Sequence, residues 1–310
     1  MSSTSNITGT VAILGGTGDL GLHMSRIFLI EYRKQFPVVR ITTRDPNSPK
    51  AQELAKLGAE LYKASDSFDE VLSGVDVVIN ALPTFIPEEA RKQLLAALVR
   101  ADPKVYFLSE FGADWRLNEF DGYEHKEWRT KRVVTAETKA ALQGTRTKLI
   151  MPAIGLFLGW LFHPGLGIDI EKNVYTPLGS ERTRVATTAE DDIARSVARL
   201  AILSLDPATA STVPTDLRIA GQNVSYEEIP DAVSRVKGVP NGAIKTLDLE
   251  EFDRNLKENP NDNLLDYIRV LIGQGKMDFS RENANELVNP NQSLWKWKTV
   301  EDQLRSSESP

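Results

Sequence analysis

The sequence has no cysteine among its 310 residues, which excludes disulfides, thiolate catalysis and cysteine-rich zinc sites. Histidine is scarce too, being limited to His23, His125 and His163. None of the three has a partner at metal-ligand spacing, so we expect no metal site.

Long hydrophobic runs are also missing. The longest apolar stretch, residues 150–162, is interrupted by Pro152, Gly155 and Gly159 and falls short of the roughly 20 residues of a membrane-spanning helix. Residues 1–9 carry no basic stretch, and the first apolar run, residues 11–14, is too short for a signal peptide. We therefore expect a cytoplasmic protein without membrane contact, and we assign it as a monomer or homodimer.

Several functional classes lack their sequence signatures. The formal net charge of −6 argues against sequence-independent binding of nucleic acid. The chain has neither a Gly-x-Ser-x-Gly nucleophile motif nor a P-loop lysine motif, which disfavours hydrolases and NTPases.

What the sequence does contain is an alternation of short β-branched runs and longer segments with helical periodicity. The predicted strands cover residues 10–14, 38–43, 60–63, 75–81, 105–109 and 147–151. Predicted helices lie between and after them, at residues 19–35, 87–100, 123–143, 190–205, 226–237, 249–259 and 263–273. This alternation predicts an α/β protein with a Rossmann-type, doubly wound parallel sheet.

The alternation loosens after Pro152, where glycines and prolines interrupt the pattern. We place a domain boundary there. Residues 1–152 are assigned as the dinucleotide-binding domain, and residues 153–310 as a smaller mixed α/β region that binds substrate. Some segments of the second region are expected to return to the main sheet.

A glycine-rich turn follows the first predicted strand and opens the first predicted helix. It reads Gly15-Gly16-Thr17-Gly18-Asp19-Leu20-Gly21. In a dinucleotide-binding turn the first glycine makes the bend, the second lets the backbone approach the pyrophosphate, and the third lets the helix pack on the strand. The same turn in another kind of α/β protein is the alternative. We expect cofactor contacts along the turn, from Gly15, Thr17, Gly18, Asp19, Leu20 and Gly21.

The end of the second predicted strand bears on the choice of cofactor. An NAD-binding protein usually has an acidic residue there for the ribose 2′-hydroxyl. Here the strand ends at Thr43 and is followed by Arg44, with Lys50 nearby, and these cations suit a 2′-phosphate. The interpretation is NADPH/NADP+. Two solvated surface cations, or an Arg44–Asp45 pair, would be the alternative.

The fourth predicted strand ends in Asn80-Ala81-Leu82. In such folds this edge of the sheet lies beside the cofactor, so we add these three residues to the cofactor site. A plain strand end would look similar.

Taken together, these motifs resemble the NmrA-like/isoflavone reductase family of atypical short-chain dehydrogenases/reductases, in its fungal type. The resemblance rests on the glycine turn and on Ser109-Glu110-Phe111-Gly112, and is supported by Gly155–Trp160, Thr188–Ala194 and Leu294–Val300. It implies that Glu110 and Phe111 contact the cofactor. It also implies a catalytic lysine on the following helix, at a spacing from Gly112 that selects Lys131.

The helical pattern supports Lys131 independently. Advancing about 100° per residue places Trp128 and Val134 about 60° to either side of Lys131, on the apolar face. Lys126 falls near the opposite face. A Tyr-x-x-x-Lys motif is not formed, because Tyr123 and Lys126 are one residue too close. Lys131 is therefore the candidate catalytic residue, and it is also expected to contact the cofactor at the nicotinamide ribose. A snorkelling lysine, or an ion pair with Glu127 or Glu110, is the alternative.

For the substrate we expect a pocket formed by Phe111, Gly112, Phe157, Trp160 and His163, although core packing explains these aromatic residues equally well. The resulting hypothesis is an NADPH-dependent reductase of a C=O, C=C or C=N group in a small aromatic or secondary-metabolite substrate. The main alternative is an NADP(H)-binding sensor without catalysis. A cofactor-recycling epimerase or dehydratase is disfavoured by the missing Tyr-x-x-x-Lys motif.

Overall fold

The computed structural model describes residues 7–306. The expectation that the chain lacks a signal peptide rests partly on residues 1–6, which lie outside the described residues. The two predicted domain ranges, 1–152 and 153–310, also begin and end, respectively, outside the described residues.

Thirteen strands are formed in the described part of the chain. They are β1 (Thr10–Leu14), β2 (Val38–Thr43), β3 (Glu60–Lys63), β4 (Val77–Asn80), β5 (Val105–Phe107), β6 (Lys148–Ala153), β7 (Leu156–Phe157), β8 (Ile168–Asp169), β9 (Val174–Tyr175), β10 (Arg184–Thr188), β11 (Asp216–Arg218), β12 (Gln222–Ser225) and β13 (Ala243–Ile244).

Eleven α-helices alternate with these strands or follow them within residues 7–306. They are α1 (Asp19–Ile30), α2 (Pro49–Lys56), α3 (Phe68–Leu72), α4 (Glu88–Ala101), α5 (Lys126–Ala141), α6 (Glu190–Leu205), α7 (Glu228–Lys237), α8 (Leu249–Glu258), α9 (Leu264–Gly273), α10 (Asn285–Val288) and α11 (Val300–Ser306).

The main sheet has seven strands in the order β11-β6-β5-β4-β1-β2-β3. β1 lies between β2 and β4, and all registered pairs from β3 to β6 are parallel. β1 and β4 are buried along nearly their whole length, which explains their continuous Val/Ile composition. The order reverses beside β1, where doubly wound sheets bind ligands at the carboxyl ends of their strands. The predicted Rossmann-type fold is confirmed.

Some predicted element ends differ from the structure. α1 ends at Ile30 rather than residue 35, because residues 32–36 form a tight turn in which the Phe36 amide bonds to the Tyr32 carbonyl. Pro37 follows and disfavours a helical conformation at Phe36. α5 begins at Lys126 rather than residue 123, because His125 acts as its cap: its Nδ1 accepts a hydrogen bond from the Glu127 amide at 3.2 Å.

The chain divides into two compact units. The first unit comprises residues 1–110, 130–152 and 193–217, and the second comprises residues 111–129, 153–192 and 218–310. The main sheet belongs largely to the first unit, where Ala12, Leu14, Val78, Tyr106 and Met151 contribute to a hydrophobic core. The assignment of residues 1–152 to cofactor and 153–310 to substrate concerns what each part binds, so it stays a prediction.

The second unit contains two three-stranded sheets, ordered β12-β10-β7 and β13-β9-β8, and several of the later helices. Its core includes Trp128, Tyr267 and Leu271. The C-terminal segment packs into that core through Val300 and Leu304, while Trp297 is also buried. Because this segment packs onto the second unit, a large aromatic residue such as Trp297 can be buried even near the end of the sequence.

A buried carboxylate organises charges within the second unit. Asp114 is only 3% exposed, and its two oxygens lie 2.6 Å from the Arg116 Nε and 2.9 Å from the Arg218 Nε. Burial alone would raise the pKa of Asp114, but the two guanidinium groups outweigh it and lower the pKa below its usual value. Charged Asp114 therefore stabilises the folded unit.

Asp114→Asn is expected to lower the free energy of unfolding at pH 7 by about 2–3 kcal/mol, because two guanidinium groups lose their shared counter-ion. The pKa of Asp114 is lower in the folded protein than in the unfolded chain. The stabilisation by charged Asp114 is therefore fully present at a pH above the pKa of the unfolded chain, and it is lost as the pH falls through the pKa of the folded protein. Urea unfolding between pH 7 and about pH 3 checks this, and the gap between wild type and variant is expected to close towards the acid end.

Asp262→Asn is the matched control, because Asp262 pairs with Lys126 at the surface of the same unit. It is expected to leave stability unchanged. Equal losses in the two variants, or a gap that does not depend on pH, would contradict the role assigned to Asp114.

Candidate functional site

The glycine turn joins β1 to α1 in the first unit. Gly15 has φ +78°, and an added Cβ there would lie 2.9 Å from the Ala81 carbonyl oxygen. At Gly21 an added Cβ would lie 2.1 Å from the Gly15 carbonyl oxygen. Both positions therefore require glycine: Gly15 because of its conformation, and Gly21 because the helix packs directly on the turn.

The turn is fixed by hydrogen bonds to β2. The Gly15 amide donates to the Thr42 hydroxyl at 2.8 Å, and the Gly16 amide donates to the Thr42 carbonyl at 3.1 Å. Gly18 occupies the N-cap of α1, where no side chain accepts from the first amides of the helix. The helix N-terminus thus presents N–H groups and a partial positive charge, which suit an anion.

A cleft of about 530 Å³ opens over this turn. Its walls come from the carboxyl ends of neighbouring strands in the first unit and from the start of α4. The lining residues include Gly15, Thr17, Gly18, Thr43, Arg44, Phe68, Ala81, Leu82 and Pro83. Six residues predicted to bind the cofactor, namely Gly15, Thr17, Gly18, Arg44, Ala81 and Leu82, therefore line one cleft.

Arg44 follows β2 directly and is exposed at the cleft. Within residues 7–306 the structure gives its guanidinium no ion-pair partner. The neighbouring Asp45 instead accepts a hydrogen bond from the Asn47 amide at 2.9 Å and begins the turn into α2. The proposed Arg44–Asp45 pair is therefore not formed.

None of the other predicted cofactor residues lines the cleft, Glu110 and Phe111 included. Asp19, Leu20 and Gly21 form the first turn of α1. Lys50 is exposed in the first turn of α2 and does not line the cleft. Asn80 donates to the Tyr106 hydroxyl at 3.0 Å and accepts from the Leu82 amide at 3.1 Å, which shapes the loop carrying Ala81 and Leu82.

A second, smaller cavity of about 40 Å³ shares Pro83 and Ile86 with the large cleft. Asn80, Ser109, Glu110 and Lys131 are among its lining residues. The Ser109 hydroxyl donates a hydrogen bond to the Leu82 carbonyl at 2.9 Å, which connects the segment after β5 to the wall of the large cleft.

Lys131 points inward from α5, as the helical pattern predicts, and its side chain is 13% exposed. Its Nζ donates to the Ser109 carbonyl at 2.9 Å and lies 3.5 Å from the Glu110 Oε2. The ion pair with Glu110 that the sequence left open is thus formed. Lys126 differs: it pairs with Asp262 at the surface of the second unit.

The residues expected to form the substrate pocket all belong to the second unit. Phe111 is buried, and the Gly112 carbonyl accepts from the Ile154 amide at 3.0 Å. Trp160 is 57% exposed and stacks on His163, with the ring centroids 6.3 Å apart. Phe157, which comes shortly before Trp160 in the sequence, is partly buried.

Thr43 and Thr135 were not among the predicted site residues, although Thr17 was. Thr17 and Thr43 share a hydrogen bond of 2.9 Å between their hydroxyls at the mouth of the cleft. The sequence signal for Thr43 was its place immediately before Arg44. Thr135 Oγ1 donates to the Glu110 Oε1 at 3.0 Å, and its only sequence signal was its spacing of one helical turn from Lys131.

The described residues contain neither a metal cluster nor a membrane-spanning helix. In residues 7–306 no group of three or more histidine and acidic side chains is placed to hold a metal ion. No helix in that range is long and apolar enough to cross a membrane.

The sheet order and the glycine turn define a Rossmann-type α/β protein. A model of the NmrA-like family matches residues 7–302, and the chain belongs to that family. The resemblance inferred from the sequence is thereby confirmed.

Two similar proteins are fungal and are both described as NmrA-like family domain-containing oxidoreductases. The one from Malbranchea aurantiaca is 52% identical over 60 residues, which cover 19% of this chain and 17% of that protein. The one from Gibberella moniliformis is 27% identical over 201 residues, which cover 64% of this chain and 63% of that protein. In both cases the match spans less than two thirds of the relative's length.

Among solved structures, one described as AtPrR2 with NADP+ and (+)pinoresinol is similar with a TM-score of 0.75. It is 20% identical, and the match covers 96% of this chain and 98% of that one. At this identity the likeness establishes the fold.

Proposed function

We propose that the protein is an NADPH-dependent reductase that acts on a C=O, C=C or C=N group of a small organic molecule, with Lys131 as proton donor or orienting group. The observation that carries the proposal is an inward-facing lysine ammonium in the same unit as the large cleft over the glycine turn. The oxidoreductase names of the fungal relatives support the reaction class.

The residues of the cleft fit a phosphorylated dinucleotide. No side chain caps the first amides of α1, so these amides are available to a pyrophosphate bound over the glycine turn. Arg44 lies just past the end of β2, and its guanidinium has no ion-pair partner among residues 7–306, so it is available to a 2′-phosphate. The NADP+ in the similar solved structure supports the same choice.

Bound NADPH would supply a hydride, and the chain would supply binding, orientation and one acid group. The glycine turn and α1 would hold the pyrophosphate, while Arg44 would hold the 2′-phosphate. Thr17 and Thr43 would add hydroxyl contacts at the mouth of the cleft.

Lys131 would act on the substrate itself. Its Nζ donates to the Ser109 carbonyl and approaches Glu110, which leaves one N–H bond for a substrate atom. From there it would donate a hydrogen bond or a proton to a substrate atom that gains negative charge.

For substrate selection we retain residues 153–310 as the region that contributes most, together with Phe111 and Gly112. Phe157, Trp160 and His163 offer aromatic surface, and the large exposed fraction of Trp160 supports a role in contacts outside the core. An aromatic or extended substrate fits that surface. The cytoplasmic location and the monomeric or homodimeric state stay predictions.

Arg44→Ala is expected to weaken NADPH binding about 10-fold to 100-fold while changing the affinity for NADH less than about twofold, because only NADPH has the 2′-phosphate. Isothermal titration calorimetry with each cofactor measures both affinities. Arg33→Ala is the matched control, since Arg33 is an exposed arginine before the other end of β2. Parallel losses for NADPH and NADH would refute the assignment of Arg44.

A second candidate function is an NADP(H)-binding sensor without catalysis. One observation favours it: the Lys131 ammonium already has Glu110 and Ser109 as partners, as a purely structural lysine would. A panel of aromatic ketones, enones and imines, assayed by the loss of NADPH absorbance, separates the two. The sensor is expected to bind NADPH and consume none with any of them.

A further inference from the structure

We propose that Glu110 and Thr135 form a positioning pair for Lys131. In this proposal Thr135 orients the Glu110 carboxylate, and that carboxylate fixes the direction of the lysine ammonium. The inference rests on the proposed function, because positioning matters only if Lys131 acts on a substrate.

The geometry of α5 brings the three groups together. Lys131 and Thr135 are four residues apart, so they lie on the same face of the helix in successive turns. One carboxylate bridges them: Oε1 of Glu110 accepts from the Thr135 hydroxyl at 3.0 Å, and Oε2 lies 3.5 Å from the Lys131 Nζ. Each oxygen of the Glu110 carboxylate therefore has its own partner on α5, and the two contacts together orient the carboxylate.

Burial makes the arrangement restrictive. The Glu110 residue is 6% exposed and Thr135 is 7% exposed, so both contacts are shielded from bulk solvent. A buried carboxylate that loses a hydrogen-bond donor reorients towards its remaining partners. Removing the Thr135 hydroxyl is therefore expected to release the Glu110 side chain and, through it, Lys131.

The partners of Lys131 determine where its free N–H bond points. An ammonium has three N–H donors in tetrahedral directions. The Ser109 carbonyl takes one at 2.9 Å, and the Glu110 carboxylate lies towards a second. Two fixed contacts set the direction of the third donor, which is the one available to a substrate atom.

The same helix provides a control for the loss of a hydroxyl group. Thr138 is fully buried on α5, and its Oγ1 has no hydrogen-bond partner in the structure. Thr135→Val and Thr138→Val thus remove the same atom from two buried sites on one helix. Only the first removes a contact to Glu110.

The first experiment compares steady-state kinetics of wild type, Thr135→Val, Thr135→Ser, Thr138→Val and Glu110→Gln, with folding checked by circular dichroism. Thr135→Val and Glu110→Gln are expected to lower kcat about 10-fold to 100-fold, because a misplaced reacting group is costly. The KM for NADPH is expected to change little. Thr135→Ser keeps the hydroxyl and is expected to restore kcat, while Thr138→Val is expected to match wild type.

The second experiment needs no substrate. Limited acetylation of the folded protein with an N-hydroxysuccinimide ester, read by peptide mass spectrometry, reports how firmly each lysine is held. Lys131 is expected to react several-fold faster in Thr135→Val and Glu110→Gln than in wild type. Lys126, which pairs with Asp262 at the surface, serves as the internal reference.

The outcomes separate the two proposals. If wild type turns over no substrate, the proposed function fails; if Lys131→Met keeps full turnover, only the role assigned to Lys131 in that function fails. In either case the acetylation rates still show whether Glu110 and Thr135 hold the lysine. If Lys131→Met is inactive but Thr135→Val matches wild type in kcat and in acetylation, the positioning proposal alone is overturned. Equal kcat losses in Thr135→Val and Thr138→Val, with unchanged acetylation, would also overturn it. If Thr135→Val does not fold, Glu110→Gln carries the same test.

Discussion

Lys131→Met is expected to lower kcat for substrate-dependent NADPH oxidation by about 10²-fold to 10⁴-fold, the usual contribution of a positioned acid group. Methionine retains much of the length and apolar character of the lysine stem but has no N–H donor. The affinity for NADPH is expected to change far less, because the glycine turn and Arg44 carry the proposed phosphate contacts in the large cleft. Stopped-flow kinetics and NADPH titration measure the two quantities separately.

Lys126→Met is the control for this variant. Lys126 lies on the same helix, but its ammonium pairs with Asp262 at the surface, 2.9 Å away. It is expected to keep wild-type kcat. If Lys131→Met retained more than about a tenth of wild-type kcat, the catalytic role would be withdrawn in favour of a structural ion pair with Glu110.

Gly21→Ala is expected to abolish protection against thermal unfolding by NADPH and to lower the free energy of unfolding by about 3 kcal/mol. The added Cβ would lie 2.1 Å from the Gly15 carbonyl oxygen and 3.0 Å from the Gly16 Cα. Both neighbours are backbone atoms, so the only relief is for α1 to move away from the turn. That movement would misplace the helix N-terminus on which phosphate binding depends.

Gly18→Ala is the graded comparison within the same turn. Gly18 has φ −71°, which alanine adopts readily, and its added Cβ would lie 3.2 Å from the Gly15 carbonyl oxygen. We expect a loss of no more than about 1 kcal/mol and partial protection by NADPH. Differential scanning fluorimetry with and without NADPH gives both values, and equal damage in the two variants would contradict the close-packing argument.

The sheet was largely predictable from sequence, because its signals are local. β1, β2 and β3 have the predicted bounds, since each is a short run of strand-forming residues limited by turns. The glycine turn was predictable for a similar reason: Gly15 has a positive φ, and Gly21 is restricted by Gly15 and Gly16 of the same turn. The inward direction of Lys131 also followed from helical periodicity alone.

Other features depend on distant contacts and could not be derived in this way. Thr135 and Glu110 are 25 residues apart, and their hydrogen bond exists only because α5 docks beside the end of β5. The grouping of residues 111–129 with the second unit likewise depends on packing around Trp128 and Tyr267. The early end of α1 reflects a turn over residues 32–36, which the apolar pattern inside the helix does not reveal.

One of the two edge strands of the main sheet, β3, has a bearing on solubility. It is only four residues long, and Glu60 and Lys63 at its ends are exposed. Glu60 also pairs with Arg40 on β2 at 3.2 Å. An open strand edge can recruit strands from other molecules, and a short edge with charges at both ends resists such pairing. At this border of the sheet, the chain is therefore protected from self-association by the same residues that complete its fold.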